Sequence, residues 1–379
     1  MDADVVVVGV GTAGSAALWR LAHRGATVIG VEQFEPGHDR GSGHGESRII
    51  RTTYHEHPAY VPLVREAWQL WRSLEAESGV TVLTRTGALM IGPTGGELLT
   101  GVAAAVRTHG LDHEWLDAAE CGRRFPQHRI GPGEEAVFEP DAGFLRAERA
   151  IQAMTARAIA GGATLLTNRR VQAVESAPSG VRVVVDGESV TARHVVICAG
   201  AWLPGLLQTF ARVLEVERQV PVWFPVAHPM EYGPERFPVF IREHDAHRLY
   251  GVPTVDGKTV KVGIHHEGSA ANPDEVDRVV RDADTATLSS LVAALLDGVD
   301  PVPSHVTVCM YTNAPDGHFV IGPVPGVENV TVVSACSGHG FKFAPVLGEI
   351  TADLALDGGT ARVIDLFAPA RLVSRTPPS

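Results

Sequence analysis

Residues 4–8, DVVVV, form an apolar run without alternation, as a strand buried on both faces does. Apolar positions then take helical spacing over TAGSAALWRLAHRG, which ends at Gly25. A second apolar run, TVIGVE, covers residues 27–32. Strand, helix and strand in this order predict a β-α-β unit of about thirty residues. The polar, glycine-rich stretch from Pro36 to Ser47 has no period and predicts a loop; residues 59–78 predict an amphipathic helix ending before Gly79.

The pattern then changes. From about Thr84 to Phe144, short strands (GALMIG, AVFEP) surround one helix near 96–109. AERAIQAMTARAIAGGA restores the helical period, and strands follow near 164–175, 181–185 and 194–198. From about Leu214 to Thr307 the alternation is that of longer strands. The chain closes with a strand, NVTVVSA, a glycine-rich turn and a helix, APVLGEITADLALDG. The two styles interleave twice. This predicts a fold of class α/β plus α+β made of two discontinuous domains, one from 1–84, 145–213 and 308–379, the other from 85–144 and 214–307.

The 379 residues are 45% hydrophobic and 20% charged, as in an ordinary globular protein. A formal charge of −12 leaves no basic stripe for nucleic acid or anionic membrane. No apolar run approaches the ~20 residues of a membrane helix, and the acidic start is unlike a secretory signal, so a cytoplasmic protein is expected. Cys121, Cys198, Cys309 and Cys336 are widely spaced, which argues against a zinc ribbon or a disulfide framework. The histidine pairs His55/His57, His244/His247 and His265/His266 lack a supporting ligand set; no metal site is expected, and most of these histidines read as surface residues.

Gly9-Val10-Gly11-Thr12-Ala13-Gly14 is G-x-G-x-x-G between strand and helix, with Glu32 at the end of the next strand. The first glycine makes the turn, the second admits a pyrophosphate, and the third lets helix touch strand. The diphosphate would rest on the helix N-terminus and Glu32 would accept from ribose hydroxyls. HVVICAGAW, His194 to Trp202, suits a second approach to the same dinucleotide, although alone it is a buried strand with a turn. In YGVPTVDGKTVKVGIHH, the Asp256-Gly257 pair predicts a two-residue hairpin turn. Pairing outward sets Val255 against Lys258 and Val252 against Lys261. Lys261, Gly263 and His265 then share a face with Tyr250 and Val252, while Val260, Val262 and Ile264 fill the other. By itself the first face reads as solvated sheet. SGHGFKF, residues 337–343, reads as a Gly-rich loop that lets backbone approach a ligand.

Taken together, VGVGTAG, GSGHGESRIIRTTY (41–54), FEPDAGFL, ICAGAW, YG…VKVGIHH, CMYTNAPDGHF and SGHGFKF resemble the sarcosine oxidase and N-methyltryptophan oxidase family. These are FAD-dependent amine oxidases of the wider D-amino acid oxidase superfamily. The resemblance covers nearly the whole chain. It implies a Rossmann-like FAD-binding domain with an interleaved mixed-sheet substrate domain. It implies a flavin bonded covalently to Cys309, the cysteine of C-M-Y-T. Cofactor contacts would come from Gly9, Gly11, Thr12, Ala13, Gly14, Glu32, Gln33, Ser42, Arg48, Val171, Ala199, Gly200 and Trp202. Met310, Gly338, His339, Gly340, Phe341 and Lys342 would complete them. Arg51 and Lys342 resemble the pair that grips the substrate carboxylate, with Tyr250, Tyr311 and Ile241 as pocket walls. Lys261 resembles the lysine that promotes reaction with oxygen, His265 the pocket histidine, and Arg48 and His44 groups beside the flavin ring. Tyr311 joins them among the catalytic candidates.

The implied reaction is oxidation of a secondary amino acid, N-methyl in the first instance. A hydride equivalent passes to the flavin, the imine is hydrolysed to aldehyde and amine, and O2 becomes H2O2. A small-molecule amine and O2 are the expected partners of a monomeric protein. Three departures bear on substrate. Ala335-Cys336 stands where Gly-Phe is common, Gly43 where a histidine is, and Gly322 where an acid is. The first two imply a roomier pocket. Oxidation of a cyclic imino acid of the pipecolate or proline kind, or of a larger natural-product amine, remains open. So do a dehydrogenase that passes electrons to a protein and a non-catalytic flavin- or nucleotide-binding module.

Overall fold

The computed structural model describes residues 1–177 and 180–373. Two eight-stranded sheets organise them. In the first, Ala3–Val8 lies between Val28–Val31 and Glu188–Ile197, parallel to both, and Thr164–Leu166 extends the parallel edge. Val330–Ser334 returns from the far end of the chain to pair with Glu188–Ile197. Val5, Val6 and Val7 are fully buried, which explains the unbroken apolar run: a parallel strand is covered on both faces. The helices Thr12–His23, Ala147–Ala160 and Ala344–Leu356 pack together as one such cover. Gly348 is required there, because a Cβ would stand 2.6 Å from the Ala16 carbonyl oxygen.

The helix Tyr60–Ser78 buries Tyr60, Val61, Leu63, Val64, Ala67, Trp71 and Leu74, the stripe expected of an amphipathic helix. Gly79 ends it in the left-handed region. Trp71 ties this helix to the C-terminal loop: its indole N–H donates to the Lys342 carbonyl at 2.8 Å.

The second sheet is mostly antiparallel, in the order His305–Val306, Val222–Pro225, Thr259–Ile264, His247–Val252, Val239–His244, Ala88–Pro93, Glu134–Glu139 and Glu114–Leu116. The hairpin has the expected register, Val252 opposite Lys261 and Tyr250 opposite Gly263. Its connection is longer than two residues, because the strands stop at Val252 and resume at Thr259. Asp256 holds this loop by accepting from the backbone N–H of Lys258 and Thr259 and from the Thr259 hydroxyl.

The expectation of strands throughout 214–307 is corrected at Asp282–Leu295, which is a helix. Its buried Thr285, Leu288, Val292 and Leu295 follow helical spacing, and it covers the face of the second sheet formed by Phe224, Val260 and Val262. The Ala118–Arg124 helix was likewise not expected; Asp117 caps it by accepting from the Glu120 N–H.

Two three-stranded sheets carry segments that matter below. Ser47–Ile50 pairs with Gly143–Arg146, which also pairs with Leu83–Arg85. Glu215–Gln219 pairs with Ser269–Ala270 and with Cys309–Asn313.

Trp71→Phe keeps an aromatic ring in the core but removes the bond to Lys342. Chemical denaturation should show a loss on the order of 1–3 kcal/mol. Unchanged stability would mean that the indole tie contributes nothing.

Candidate active site

A cavity of about 1060 Å³ joins segments from every part of the chain. That is at the upper end of the roughly 300–1,000 Å³ of small-molecule sites. Its wall includes the first glycine turn and also Arg48, Arg51, Ile241, Tyr250, His265, Cys309, Tyr311 and Lys342. Gly9 has φ +84°, and a Cβ on it would meet the Cys198 carbonyl at 2.6 Å. Gly14 lies against Gly9, where a Cβ would be 1.8 Å from its carbonyl oxygen. A Cβ on Gly11 would meet nothing within 4 Å, so this turn and the first turn of the Thr12–His23 helix are open to an anionic ligand. Glu32 is buried beside them. One oxygen accepts from the Val10 N–H at 2.7 Å and the other from the Phe34 N–H at 3.0 Å. A carboxylate oxygen can accept more than once, so Glu32 retains capacity for a ribose hydroxyl.

Gln33, Ser42, Val171, Ala199, Gly200, Trp202, Gly338, His339, Gly340 and Phe341 also line the cavity, with Thr12 and Ala13. Gly14 and Met310 do not. Gly14 serves packing. Met310 corrects an expectation: it is fully buried in a small apolar cluster with Ala201 and Val216. Strand alternation explains this, since Cys309, Tyr311 and Asn313 line the cavity and Met310 and Thr312 point away.

The Cys309 sulfur lies 3.8 Å from Arg48 Nη2. Burial raises Cys198 to about 12 and Cys121 to about 11. Arg48 donates to the carbonyls of Ser42 at 2.9 Å and Ser47 at 2.7 Å, and also to that of His44. Behind it lies Lys261, buried, donating to the carbonyls of Gly45 at 2.7 Å and Ser47 at 2.8 Å. Lys261 does not line the cavity. Burial, together with Arg48, holds its ammonium well below the usual lysine value. Glu148 fixes the carbonyl-bearing loop by accepting from the N–H groups of Gly45 and Glu46.

His44 corrects a second expectation. It faces a separate cavity of about 570 Å³ with Glu148 and Trp223. Burial lowers it to about 4, and its Nε2 has no partner. Gly43 corrects a third: a Cβ there would stand 2.6 Å from Ile151 and 2.9 Å from the Thr12 hydroxyl, so the missing side chain opens no room. Gly322 packs on Pro369, outside the cavity wall. Ala335 and Cys336 do line the cavity.

On the opposite wall, Gly263 leaves space for Tyr250, whose ring would lie 2.5–2.7 Å from a Cβ. Gly338, at φ +76°, presses against His265 and Tyr311; a Cβ would meet them at 2.3 and 2.8 Å. His265 Nδ1 is 3.4 Å from the Tyr311 hydroxyl. Burial pushes His265 well down, Tyr250 up to about 12 and Tyr311 well above the usual tyrosine value, so all three are neutral near pH 7.

Arg51 and Lys342 both lie near the Tyr54 ring, at 4.7 and 5.1 Å from its centroid. Arg51 donates to the Thr53 carbonyl at 2.6 Å and to both oxygens of Glu56 at 2.9 and 2.8 Å. Its Nε is buried without a partner. Burial alone would raise the Glu56 carboxyl, but Arg51 holds it well below the ordinary value. Lys342 donates to the His339 carbonyl at 2.7 Å, and burial and Arg51 lower its ammonium to about 7. His339 Nε2 faces the Gly317 carbonyl, so that nitrogen carries the proton and Nδ1 accepts from the Tyr54 hydroxyl at 2.6 Å. Arg51 Nε has no acceptor from the protein, and the Lys342 ammonium is given a single carbonyl, that of His339. Glu56 and His55 were missed in the sequence. His55 belongs to the histidine pairs read mostly as surface residues; its side chain is 5% exposed, and burial lowers it to about 3. Nothing in the spacing of T-T-Y-H-E-H marks either residue.

The model of a family described as FAD dependent oxidoreductase matches residues 4–354. The monomeric sarcosine oxidase of Streptomyces avermitilis is 40% identical, covering 98% of both chains. The N-methyl-L-tryptophan oxidase of Salmonella dublin is 34% identical over 98% of this chain and 99% of its own. Among solved structures, NikD, an unusual amino acid oxidase essential for nikkomycin biosynthesis, superimposes with a TM-score of 0.84 at 27% identity, covering 97% of each chain. Among the described residues no helix is long and apolar enough to cross a membrane, and no cluster of three metal-ligating side chains occurs.

A carboxylate ligand favours the charged form of Lys342. Above a pH of about 7 its binding must therefore take up a proton. Calorimetry with propionate, which has no amine, should show affinity falling by up to roughly tenfold per pH unit above that point. Lys342→Met should bind more weakly and without this slope. A flat profile for the unaltered protein would contradict the placement of Lys342.

Proposed function

The chain belongs to the FAD dependent oxidoreductase family, and on that premise we propose how its residues act on substrate. It is an FAD-dependent amine oxidase. The proposed substrate is a secondary amino acid bearing an N-methyl group. The observation that carries this reading is one cavity lined both by the glycine turn at Gly9–Gly11 and by the cations Arg51 and Lys342.

Arg51 Nε and Lys342 take the substrate carboxylate, and Glu56 yields part of its hold on Arg51. Tyr250, Tyr311 and Ile241 wall the reacting carbon. Arg48, Arg51 and Lys342 surround the amine with positive charge, which favours its neutral, electron-releasing form. FAD held between the glycine turn and Cys309 would supply the two-electron oxidation of the carbon beside nitrogen, with O2 as the final acceptor. For an N-methyl substrate, one O2 and one water are consumed, and formaldehyde, the demethylated amine and hydrogen peroxide are released. His265 is neutral and accepts or donates a hydrogen bond without adding charge.

Cys309 is the proposed covalent tether of FAD, supported by its place on the cavity wall 3.8 Å from the Arg48 guanidinium. Lys261 is the residue proposed to promote oxygen reduction, supported by its place behind Arg48 on the carbonyls of Gly45 and Ser47. We further assign 1–84, 145–213 and 308–379 to the FAD-binding unit, and 85–144 and 214–307 to the substrate unit. This division follows the strands of the two large sheets. A monomer is proposed from the name of the Streptomyces relative.

Acid precipitation should leave yellow colour in the pellet of the unaltered protein and release it from Cys309→Ala. Colour found wholly in the supernatant in both cases would reject the tether. Stoichiometric formaldehyde and peroxide from N-methyl amino acids are expected; turnover of cyclic imino acids alone, without formaldehyde, would replace this substrate reading. Lys261→Met should slow reoxidation by O2 on the order of a hundredfold while leaving flavin reduction far less affected. Equal slowing of both half-reactions would remove Lys261 from that role.

A further inference from the structure

The second cavity, of about 570 Å³, plays no part in the reaction as described so far. The loop 42–47 runs between it and the first cavity. Carbonyls of this loop hold Arg48 and Lys261. His44, Gly45 and Glu46 of the same loop line the second cavity, together with Trp223. His44 is 4% exposed, and its Nε2 has no protein partner. A buried polar atom of this kind is met by water, so the second cavity is one that small molecules enter.

The loop is open at Gly45. The position of its missing Cβ is bounded by Arg48 Nη1 and Trp223 Cη2 at 3.7 Å and by Lys261 Nζ at 3.8 Å. These are ordinary van der Waals distances, so the space admits one methyl-sized group, and dioxygen is of that size. A molecule there touches both cations. Arg48 also belongs to the wall of the first cavity, so the space lies between the two. Trp223, which bounds it, is held by its indole N–H on Glu46 at 3.1 Å, with its ring 5.4 Å from Lys261 Nζ.

The two cavities differ in charge. The first presents Arg51 and Lys342 at its substrate end. The second presents Asp39, Glu46, Glu148 and Asp256 and, among the described residues, no lysine or arginine. A carboxylate is drawn to the first and repelled by the second, whereas neither field acts on uncharged O2. We propose that the second cavity is the entry route for O2, which reaches Lys261 and Arg48 through the space beside Gly45 while the substrate end of the first cavity stays occupied. This rests on the reading that Lys261 promotes oxygen reduction.

Stopped-flow kinetics on the holoenzyme test the route. Gly45 has φ +91°, which favours glycine on conformational grounds alone, so it is left unaltered. Ser304 and Thr307 line the second cavity and not the first. At least one of Ser304→Trp and Thr307→Trp should slow reoxidation by O2 roughly tenfold, with flavin reduction by substrate and the flavin absorption spectrum unchanged. Thr307→Ala should leave both half-reactions as they are. Saturating methylthioacetate, a carboxylate without an amine, should leave reoxidation of the reduced, unaltered protein within about twofold of its free rate. Normal reoxidation in both tryptophan variants, equal slowing of both half-reactions in them, or reoxidation that falls in proportion to bound methylthioacetate would overturn the route. None of these results decides the role of Lys261, which stands or falls with Lys261→Met.

Discussion

Arg48, Arg51 and Lys342 are drawn out of water on the wall of a single cavity, with Lys261 buried behind Arg48, and of these four only Arg51 bonds a carboxylate, that of Glu56. Desolvating one such ion costs on the order of several kcal/mol. Backbone carbonyls offset the cost: Ser42, His44 and Ser47 for Arg48, Gly45 and Ser47 for Lys261, Thr53 for Arg51, and His339 for Lys342. Loops 41–47 and 337–343 take their shapes around these cations. The remaining positive field is directed into the cavity, where a bound carboxylate and the electron-rich flavin both benefit from it.

The convergence is built by strand geometry. Ser47–Ile50 delivers Arg48 inward and ends just before Arg51. The Val252–Lys261 register brings Lys261 behind Arg48, and the Tyr250–Gly263 pair stacks Tyr250 over a residue without a side chain. The period of two in Cys309–Asn313 sends Cys309, Tyr311 and Asn313 to the cavity. Each of these is a local rule, and the site arises because long-range pairing places four local rules on one volume.

Local rules were therefore what the sequence made legible. The glycine turn with Glu32 and the hairpin register could be read from spacing, because each depends on residues close in the chain or on a fixed period. The Asp282–Leu295 helix was hidden by an undistinguished run of Ser, Thr and Ala whose apolar stripe becomes clear only against the second sheet. His44 was misplaced because a loop without a period gives no direction to its side chains. His55 and Glu56 carry no local signal; their importance comes from their contacts with Arg51. Gly43 shows the same limit in reverse: the space near a glycine depends on its neighbours, here Ile151 and Thr12.

The central claim is that the cations around Arg51 and Lys342 are arranged for a carboxylate from outside. A crystal structure of the holoenzyme soaked with a non-oxidisable carboxylate tests it most directly. The account predicts carboxylate oxygens within hydrogen-bond distance of Arg51 Nε and Lys342 Nζ, with Glu56 shifted from its bidentate hold. A ligand bound elsewhere in the cavity, with Glu56 still gripping Arg51 through both oxygens, would contradict it.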